Sequence, residues 1–518
     1  MTSIDQSRRP VGWTRQWLRR GGVGMAGMVL TLPTILAVNT LGFRSKQLDI
    51  PPADRIEPLE GFAERLGNAI RLRTVAPGER EPFDPTPFDA MADLLAESFP
   101  KVHERLDRQV FGGHSLLYRW QGTDPTQRPI LLMSHLDVVP VEDGTEDDWT
   151  HPPYSGTIAD GFIWGRGALD VKCGALGMLE AVERLLIDDF RPACDVYLAF
   201  GHDEEVGGLE GNRVIAQALQ EQGVRFRFVL DEGGGLTEGI IDGINAPVAF
   251  VGIAEKGNAL LDLVATGGGH SSMPPRQTAV GRLASGIARL EANPFAPRLD
   301  GATGAMLDHL GPEMPWPRRA AIANRWLTGG LIAAQFSNEP SLNALIRTTT
   351  AVTVFRGGET GNSLPGRAEA RINVRLRPGD SAEAVRDRIM TLVGDDEVNI
   401  ERWDVGSEAS AVSSTASPSF KLLHRTIAEV YPGSIVAPGL SMVATDSRHY
   451  AAIADDIYRF LPLRVTGDDL ERIHGTDERI GVEDYAALIG FLARLIRNAA
   501  AEVDQDGSAT KAGGEIER

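Results

Sequence analysis

The sequence predicts an α/β fold, a sheet flanked by helices, on three observations. First, short apolar runs end repeatedly on His or acidic residues. Pro129 to Met133 delivers Ser134, His135, Leu136 and Asp137. Asp195 to Phe200 leads into Gly201-His202-Asp203-Glu204-Glu205, and Phe226 to Leu230, apolar except for Arg227, finishes on Asp231-Glu232. Such runs read as buried strands, and the carboxyl ends of strands in open α/β sheets are where ligands bind. Second, Leu59 to Arg73, Phe88 to Phe99 and Gly174 to Leu186 read as helices that flank the sheet. Third, 518 residues with 42% hydrophobic content supply cores for more than one domain.

Net charge is 52 − 71 = −19, which argues against nucleic acid as a partner. Two cysteines, Cys173 and Cys194, cannot build a disulfide framework, and Cys173 reads as a small residue on a packed helix. Residues 1–20 carry Arg8, Arg9, Arg15, Arg19 and Arg20, with Trp13 and Trp17 among them and Asp5 as the only acid. Gly21 to Phe43 then contains no charge. About 20 apolar residues span a bilayer, and the basic flank predicts a cytoplasmic amino terminus with the bulk exported. A cleaved signal peptide is the competing reading, and would give a secreted protein. Gln47 to Glu57, with Pro51 and Pro52, is a linker.

The chemistry concentrates between Pro129 and Gly235. A carboxylate two residues from His135 can hold its imidazole tautomer, which suits Asp137 to a supporting role. Gly165-Arg166-Gly167-Ala168-Leu169-Asp170 is glycine-rich and brings Asp170 to a helix entrance, where an acid on its own is a cap. Adjacent Glu204 and Glu205 repel when both are ionised, so in a buried setting they are helped by a cation or a shared proton.

The motifs SHLDVVP, GRGALDVKCG, GHDEEVGG and LDEGGG, with a later His element, resemble those of dinuclear zinc peptidases. That family includes carboxypeptidase S, glutamate carboxypeptidase and aminoacylase, and the resemblance is greatest to the carboxypeptidase S and N-acyl-amino-acid hydrolase branch, from about Leu59 to Arg497. The resemblance implies a catalytic domain with a central mixed sheet flanked by helices, plus an inserted α+β lid or dimerisation domain. It implies two zinc ions, cobalt or manganese being acceptable to the same ligands. His135 and Asp231 would hold one, Glu205 and His474 the other, with Asp170 bridging. Asp137 would orient His135, and Glu204 would be the general base. Zinc takes such N and O ligands, and a pair of ions can lower the pKa of water between them.

After Asp231, Ala249 to Ile253 and Ala259 to Ala265 read as strands. Thr266-Gly267-Gly268-Gly269-His270 lacks the Lys-Ser/Thr ending of a phosphate loop. The resemblance instead makes His270 a lid residue facing substrate and developing oxyanion. Asn293 to Pro317 and the patchily helical Ala320 to Leu342 are expected to elaborate the lid. Ala368 to Leu376 alternates, placing Ala370, Ile372, Val374 and Leu376 on one face and Arg371, Asn373 and Arg375 on the other. By resemblance, Asn362 binds the substrate carbonyl and Arg375 its free carboxylate, a task suited to the planar guanidinium. Asp380 to Val393 reads as a helix closing the lid, and Phe420 to Val430 as a helix where the catalytic domain resumes.

Gly439 and Ser441 match a segment lining the substrate carboxylate pocket, and Asp446 and Arg448 are candidates for the site wall. His474 belongs to a terminal His-x-x-x-Glu element with Glu478 as its support, before a helix from Val482 to Arg497. The expected division is 1–46 basic segment and anchor, 47–253 and 406–499 catalytic, 254–405 lid, and 500–518 disordered tail. The expected activity is hydrolysis of the amide before a free C-terminal amino acid, as in a Gly-Xaa carboxypeptidase. An N-acyl-amino-acid amidohydrolase is the alternative, so the substrate is a small peptide or an N-acyl amino acid, and a homodimer could form through the lid. A non-catalytic binding ectodomain would be marked by loss of the base or a ligand, and none is lost.

Overall fold

The computed structural model describes residues 31–76 and 83–501. The basic segment 1–20, the first part of the expected anchor (21–30) and the tail from 502 lie outside the described residues.

The large mixed sheet has ten strands. Its spatial order begins Asp107–Phe111, Ser115–Trp120, Val196–Gly201, Ile130–His135, Phe226–Asp231, Ala454–Arg459 and Val248–Glu255. Two short strands, Leu236–Thr237 and Arg464–Val465, continue one edge, and Ile435–Ser441 pairs in parallel with Val248–Glu255. Val196–Gly201, Ile130–His135 and Phe226–Asp231 are parallel neighbours. Their carboxyl ends therefore open on one edge, and the residues that follow them in sequence converge there.

Both faces of these strands are covered, which explains their unbroken apolar character. Ile130, Leu132, Leu198, Phe200, Phe228 and Leu230 pack with the helices Lys172–Ile187 and Val482–Ala499 in the largest core. The alternate residues Leu131, Met133, Tyr197, Ala199 and Val229 face the helix Asn212–Glu221, where Ile215, Ala216 and Leu219 meet them. A strand's period of two thus feeds two cores from one run of residues.

A second, antiparallel sheet has the order Thr349–Gly357, Arg367–Leu376, Gly257–Thr266, Val398–Ser407. Helices Ala279–Ala292 and Ala382–Val393 cover one side, giving a separate core that holds Ala370, Ile372, Val374 and Leu376. Arg371, Asn373 and Arg375 stay partly exposed on the other face, as the alternation requires. The chain enters this unit through Lys256, 1% exposed, whose ammonium donates to Ala344 O, Arg347 O and Thr349 Oγ1.

Residues 293–348 are mostly helical. Gly301–Leu310 is a helix, and its Ala302, Met306 and Leu310 join the core of the large sheet, not that of the second sheet. It lies against Ile435–Ser441, a strand paired on one side only, and covers it. Trp316–Ala323, Arg325–Phe336 and Pro340–Ile346 follow as helices.

The anchor expectation is also revised. Residues 31–42 form one helix, and no helix among the described residues is long and apolar enough to cross a membrane. The second half of this helix is held on protein. Asn39 Nδ2 donates to Asn324 Oδ1 at 3.0 Å, Asn324 Nδ2 donates to Leu36 O and Thr40 Oγ1, both at 3.2 Å, and Arg319 donates to Phe43 O.

Candidate metal centre

Three strand ends and two loops build the site. His135 is the last residue of Ile130–His135 and only 1% exposed. Its Nδ1 donates to the main-chain oxygen of Asp137 at 2.9 Å, which leaves Nε2 free to face outward. Asp137 Oδ1 is 3.3 Å from the same nitrogen, and Oδ2 accepts from Glu205 N at 3.0 Å. Asp137 therefore supports His135 chiefly through its own carbonyl, and its carboxylate ties that strand end to the next one.

Asp170 stands between two histidines. Its Oδ1 is 3.1 Å from His135 Nε2 and its Oδ2 is 2.9 Å from His474 Nε2. Glu232 Oε1 approaches His135 Nε2 at 3.2 Å, and Glu205 Oε2 approaches His474 Nε2 at 3.4 Å. Two groups result, His135–Asp170–Glu232 and Asp170–Glu205–His474, each with ligand atoms mutually within 4.8 Å. They share one carboxylate.

The loop that carries Asp170 is clamped by Glu478, which is fully buried. Glu478 Oε1 accepts the N–H groups of Gly167 (3.0 Å), Leu169 (2.8 Å) and Asp170 (3.1 Å). Its Oε2 accepts from Arg166 Nη1 at 2.7 Å, and Arg166 Nη2 reaches His474 O at 3.1 Å. One ion pair thus joins the Asp170 and His474 loops. Gly167 has φ 89°, and a Cβ there would sit 2.8 Å from Val138 Cγ1, so glycine is required.

The electrostatics call for positive charge. Hydrogen bonds that His474 donates to Asp170 and Glu205 hold its pKa up at about 10. Burial disfavours charge on His135, yet Glu232, Asp137 and Asp170 hold its pKa well above the usual value. Burial pushes Glu232 to about 8 against the pull of His135, with Asp170 and Asp231 pushing the same way. Burial likewise drives Glu204 well above the ordinary carboxyl value, opposed by His135 and reinforced by Asp446, Glu232 and Glu205. Glu205 Oε1 is a buried oxygen with no hydrogen-bond partner. Two imidazoles, three carboxylates and an orphaned oxygen suit one or two divalent cations, which replace the protons held here.

Of the five predicted ligands, Asp231 belongs to neither group. The last residue of its strand, it turns its Oδ2 to Ser447 N at 2.9 Å and its Oδ1 to Glu232 N, accepting from both. Glu232 is the acid that approaches His135. Adjacent residues at a strand end point to opposite sides, and two acids in LDEGGG gave no sign of which one faces the site. Cys173 is buried with its Sγ toward Leu169 O and belongs to neither group.

The residues expected to bind substrate stand apart from this cluster. His270 and Ser363 pair in a two-stranded ribbon, which brings His270 beside Asn362. His270 Nδ1 accepts from Ser272, and among the described residues no hydrogen bond or ion pair joins His270, Asn362 or Arg375 to the carboxylates. Gly439 is buried within its strand, where a Cβ would lie 2.3 Å from the Phe250 ring. Packing against Phe250 requires a glycine there. Ser441, also buried, donates to Val443 O. Asp446 is 2% exposed and bonded to Asn212 Nδ2 at 2.7 Å; burial, with Asp231 adding to it, raises its pKa to about 7.

Sequence reasoning also missed the buried pair Arg459–Glu255, in which Glu255 Oε2 further accepts from Thr445 N. These partners lie 204 residues apart, and no local pattern links them.

Residues 131–498 match the model of the peptidase family M20/M25/M40. The chain belongs to that family. It is a hydrolase of the metallopeptidase type, and its residue groups fit metal ions. It is 40% identical over 483 residues to a probable carboxypeptidase S-like protein 2 of Dictyostelium discoideum, covering 91% of this chain and 92% of that one. It is 35% identical to the N-fatty-acyl-amino acid synthase/hydrolase PM20D1 of Xenopus tropicalis, covering 93% and 96%. The fold is that of the M20 family metallo-carboxypeptidase Sso-CP2 from Sulfolobus solfataricus (TM-score 0.62, 19% identity, covering 85% of this chain and 99% of that chain).

Proposed function

We propose that this M20-family hydrolase is a two-zinc exopeptidase that cleaves the amide before a free C-terminal amino acid. The observation that carries the proposal is Asp170, whose two oxygens are divided between His135 and His474, each accompanied by a further glutamate. His135, Asp170 and Glu232 would hold one ion and Asp170, Glu205 and His474 the other. When bound, the pair of ions supplies Lewis acidity and an acidified water.

The remaining roles belong to the chain. Glu204 follows a strand end, and its carboxylate makes no hydrogen bond or ion pair among the described residues. Its raised pKa suits a group that takes a proton from water and returns it to the leaving amine. Glu205, its neighbour, is held by Asp137 through the main chain, so the two carboxylates have separate duties. Arg375, half-exposed on the lid sheet, would receive the substrate carboxylate, with His270 and Asn362 on their ribbon meeting the scissile carbonyl when the lid closes. The division into catalytic segments and lid, and a homodimer through the lid, belong to the same proposal. The basic N-terminal sequence supports membrane attachment with the catalytic domain exported.

A second reading has specific support. The relative named an N-fatty-acyl-amino acid synthase/hydrolase covers nearly the whole chain and makes an N-acyl amino acid the alternative substrate. The test follows amino-acid release by zinc-loaded protein from a blocked glycyl-leucine and a long-chain N-acyl-phenylalanine, with Glu204→Gln as control. Faster release from the glycyl substrate, lowered about 10²–10⁴-fold in the variant, is expected. Preference for the acyl substrate assigns the amidohydrolase activity, and a fully active Glu204→Gln protein refutes the role of Glu204.

A further inference from the structure

The second half of the helix of residues 31–42 is packed inside out for a protein surrounded by water. Its polar side chains there face the protein: Thr40 is 2% exposed, and Asn39 and Thr40 both bond the side chain of Asn324, itself 2% exposed. Its aliphatic side chains face outward: Leu32, Ile35, Val38 and Leu41 are all exposed, Leu41 at 74%. Amphipathic helices in globular proteins do the reverse, because burying aliphatic area is what holds them down.

The surface to which this helix is fixed has the same character. Asn324 is the joint between Trp316–Ala323 and Arg325–Phe336. Around that joint Trp316 (66%), Trp326 (62%), Leu327 (51%) and Leu331 (75%) are exposed. Leu327 and Leu331, four residues apart, share one side of their helix. Residues 314–331 carry Arg318, Arg319 and Arg325 and no acid of their own, Arg318 being paired with Asp242 and Arg325 with Asp308. Tryptophan and arginine beside exposed aliphatic residues are the composition of a membrane–water interface.

Length supplies an independent argument. Among the described residues, Leu36 is the first of the uncharged run 21–43 to be bonded to Asn324, and 15 residues of that run precede it in sequence. About 20 apolar residues span a bilayer, so lipid can cover the whole run only if the surface that carries Asn324 approaches the bilayer with it.

We propose that the face formed by residues 31–42 and the helices Trp316–Ala323 and Arg325–Phe336 rests in the interface of a lipid bilayer. The helical insertion between the two lid strands is then a membrane-docking element, and the hydrolase works on the bilayer surface, where amphiphilic substrates collect. This placement does not depend on which amide the site cleaves.

The test uses the full chain in mixed phosphatidylcholine–phosphatidylglycerol vesicles. Trp316→Cys and Leu331→Cys are made separately and labelled with an environment-sensitive fluorophore, with Gln109→Cys on the far edge strand as reference. Cys173 and Cys194 are buried and do not compete for label. Unchanged hydrolysis of a short soluble substrate confirms that each variant is folded. The expected result at 316 and 331 is a blue shift and loss of emission with brominated acyl chains, while the label at 109 is quenched only by aqueous iodide. Labels at 316 and 331 that behave like that at 109 overturn the proposal. Labels shielded from both quenchers that cross-link to a second copy also overturn it, assigning the face to a dimer.

Discussion

Replacing Glu478 by Gln perturbs the site without touching a predicted ligand. The carboxylate accepts three main-chain N–H groups on one oxygen and Arg166 on the other. A carboxamide can keep its oxygen on the three amides, but its NH₂ must then face the Arg166 guanidinium, donor against donor, in a fully buried place. Breaking one side of a buried ion pair costs about 3–5 kcal/mol, because the remaining charge is left uncompensated. Arg166 keeps its bond to His474 O, which places the expected loss toward the lower end of that range. The same change loosens the Asp170 and His474 loops together, so affinity for zinc should fall about 10–100-fold, as when groups supporting metal ligands are removed. The assay pairs urea unfolding of the metal-free protein with competitive zinc titration. A variant that unfolds at the parental urea concentration and binds zinc equally well refutes the clamp.

Three further outcomes are expected. Glu232→Ala should cut bound zinc from two ions toward one by elemental analysis, whereas Asp231→Asn should keep both and lower the unfolding midpoint; the opposite pattern would restore Asp231 as the ligand. Gly439→Ala should cost about 1–3 kcal/mol by overpacking against Phe250 while leaving KM near the parental value, and a raised KM with unchanged stability would return Gly439 to the substrate pocket. His424 is buried beside His309, and burial, then the charge of His309, lowers its pKa to about 4. A folded value below the unfolded one means the unfolded chain takes the proton first. Stability should therefore fall as pH drops from about 6.5 to about 4, by up to about 3 kcal/mol from this residue. His424→Leu should flatten the urea midpoint across that window, and an unchanged slope would show that His424 titrates normally.

Much of this was legible in sequence because it is local. Ile130–His135, Val196–Gly201 and Phe226–Asp231 announce themselves as runs that are apolar but for their ends and the half-buried Arg227, since both of their faces are buried. That the residues beyond such strands meet on one edge follows from parallel pairing, so His135, Glu204 and Glu205 could be assigned to one site before any coordinates. Asp170 and His474 were reached through their motifs and their order along the chain.

Tertiary structure decided whatever depended on direction or distance. Of two adjacent acids, Glu232 faces His135 and Asp231 faces Ser447, because the chain leaves its strand between them and a side chain's direction is not encoded in residue type. Glu478 became the clamp of the Asp170 loop across 308 residues, and Gly439 became a neighbour of Phe250 across a strand pair. The apolar stretch before Arg44 shows the same division. Composition alone established that it avoids water, but only the bonds between Asn324 and Leu36, Asn39 and Thr40 showed where, among the described residues, protein holds it. A residue's chemistry is fixed by the sequence, whereas the partner that chemistry meets is fixed by how distant segments pack.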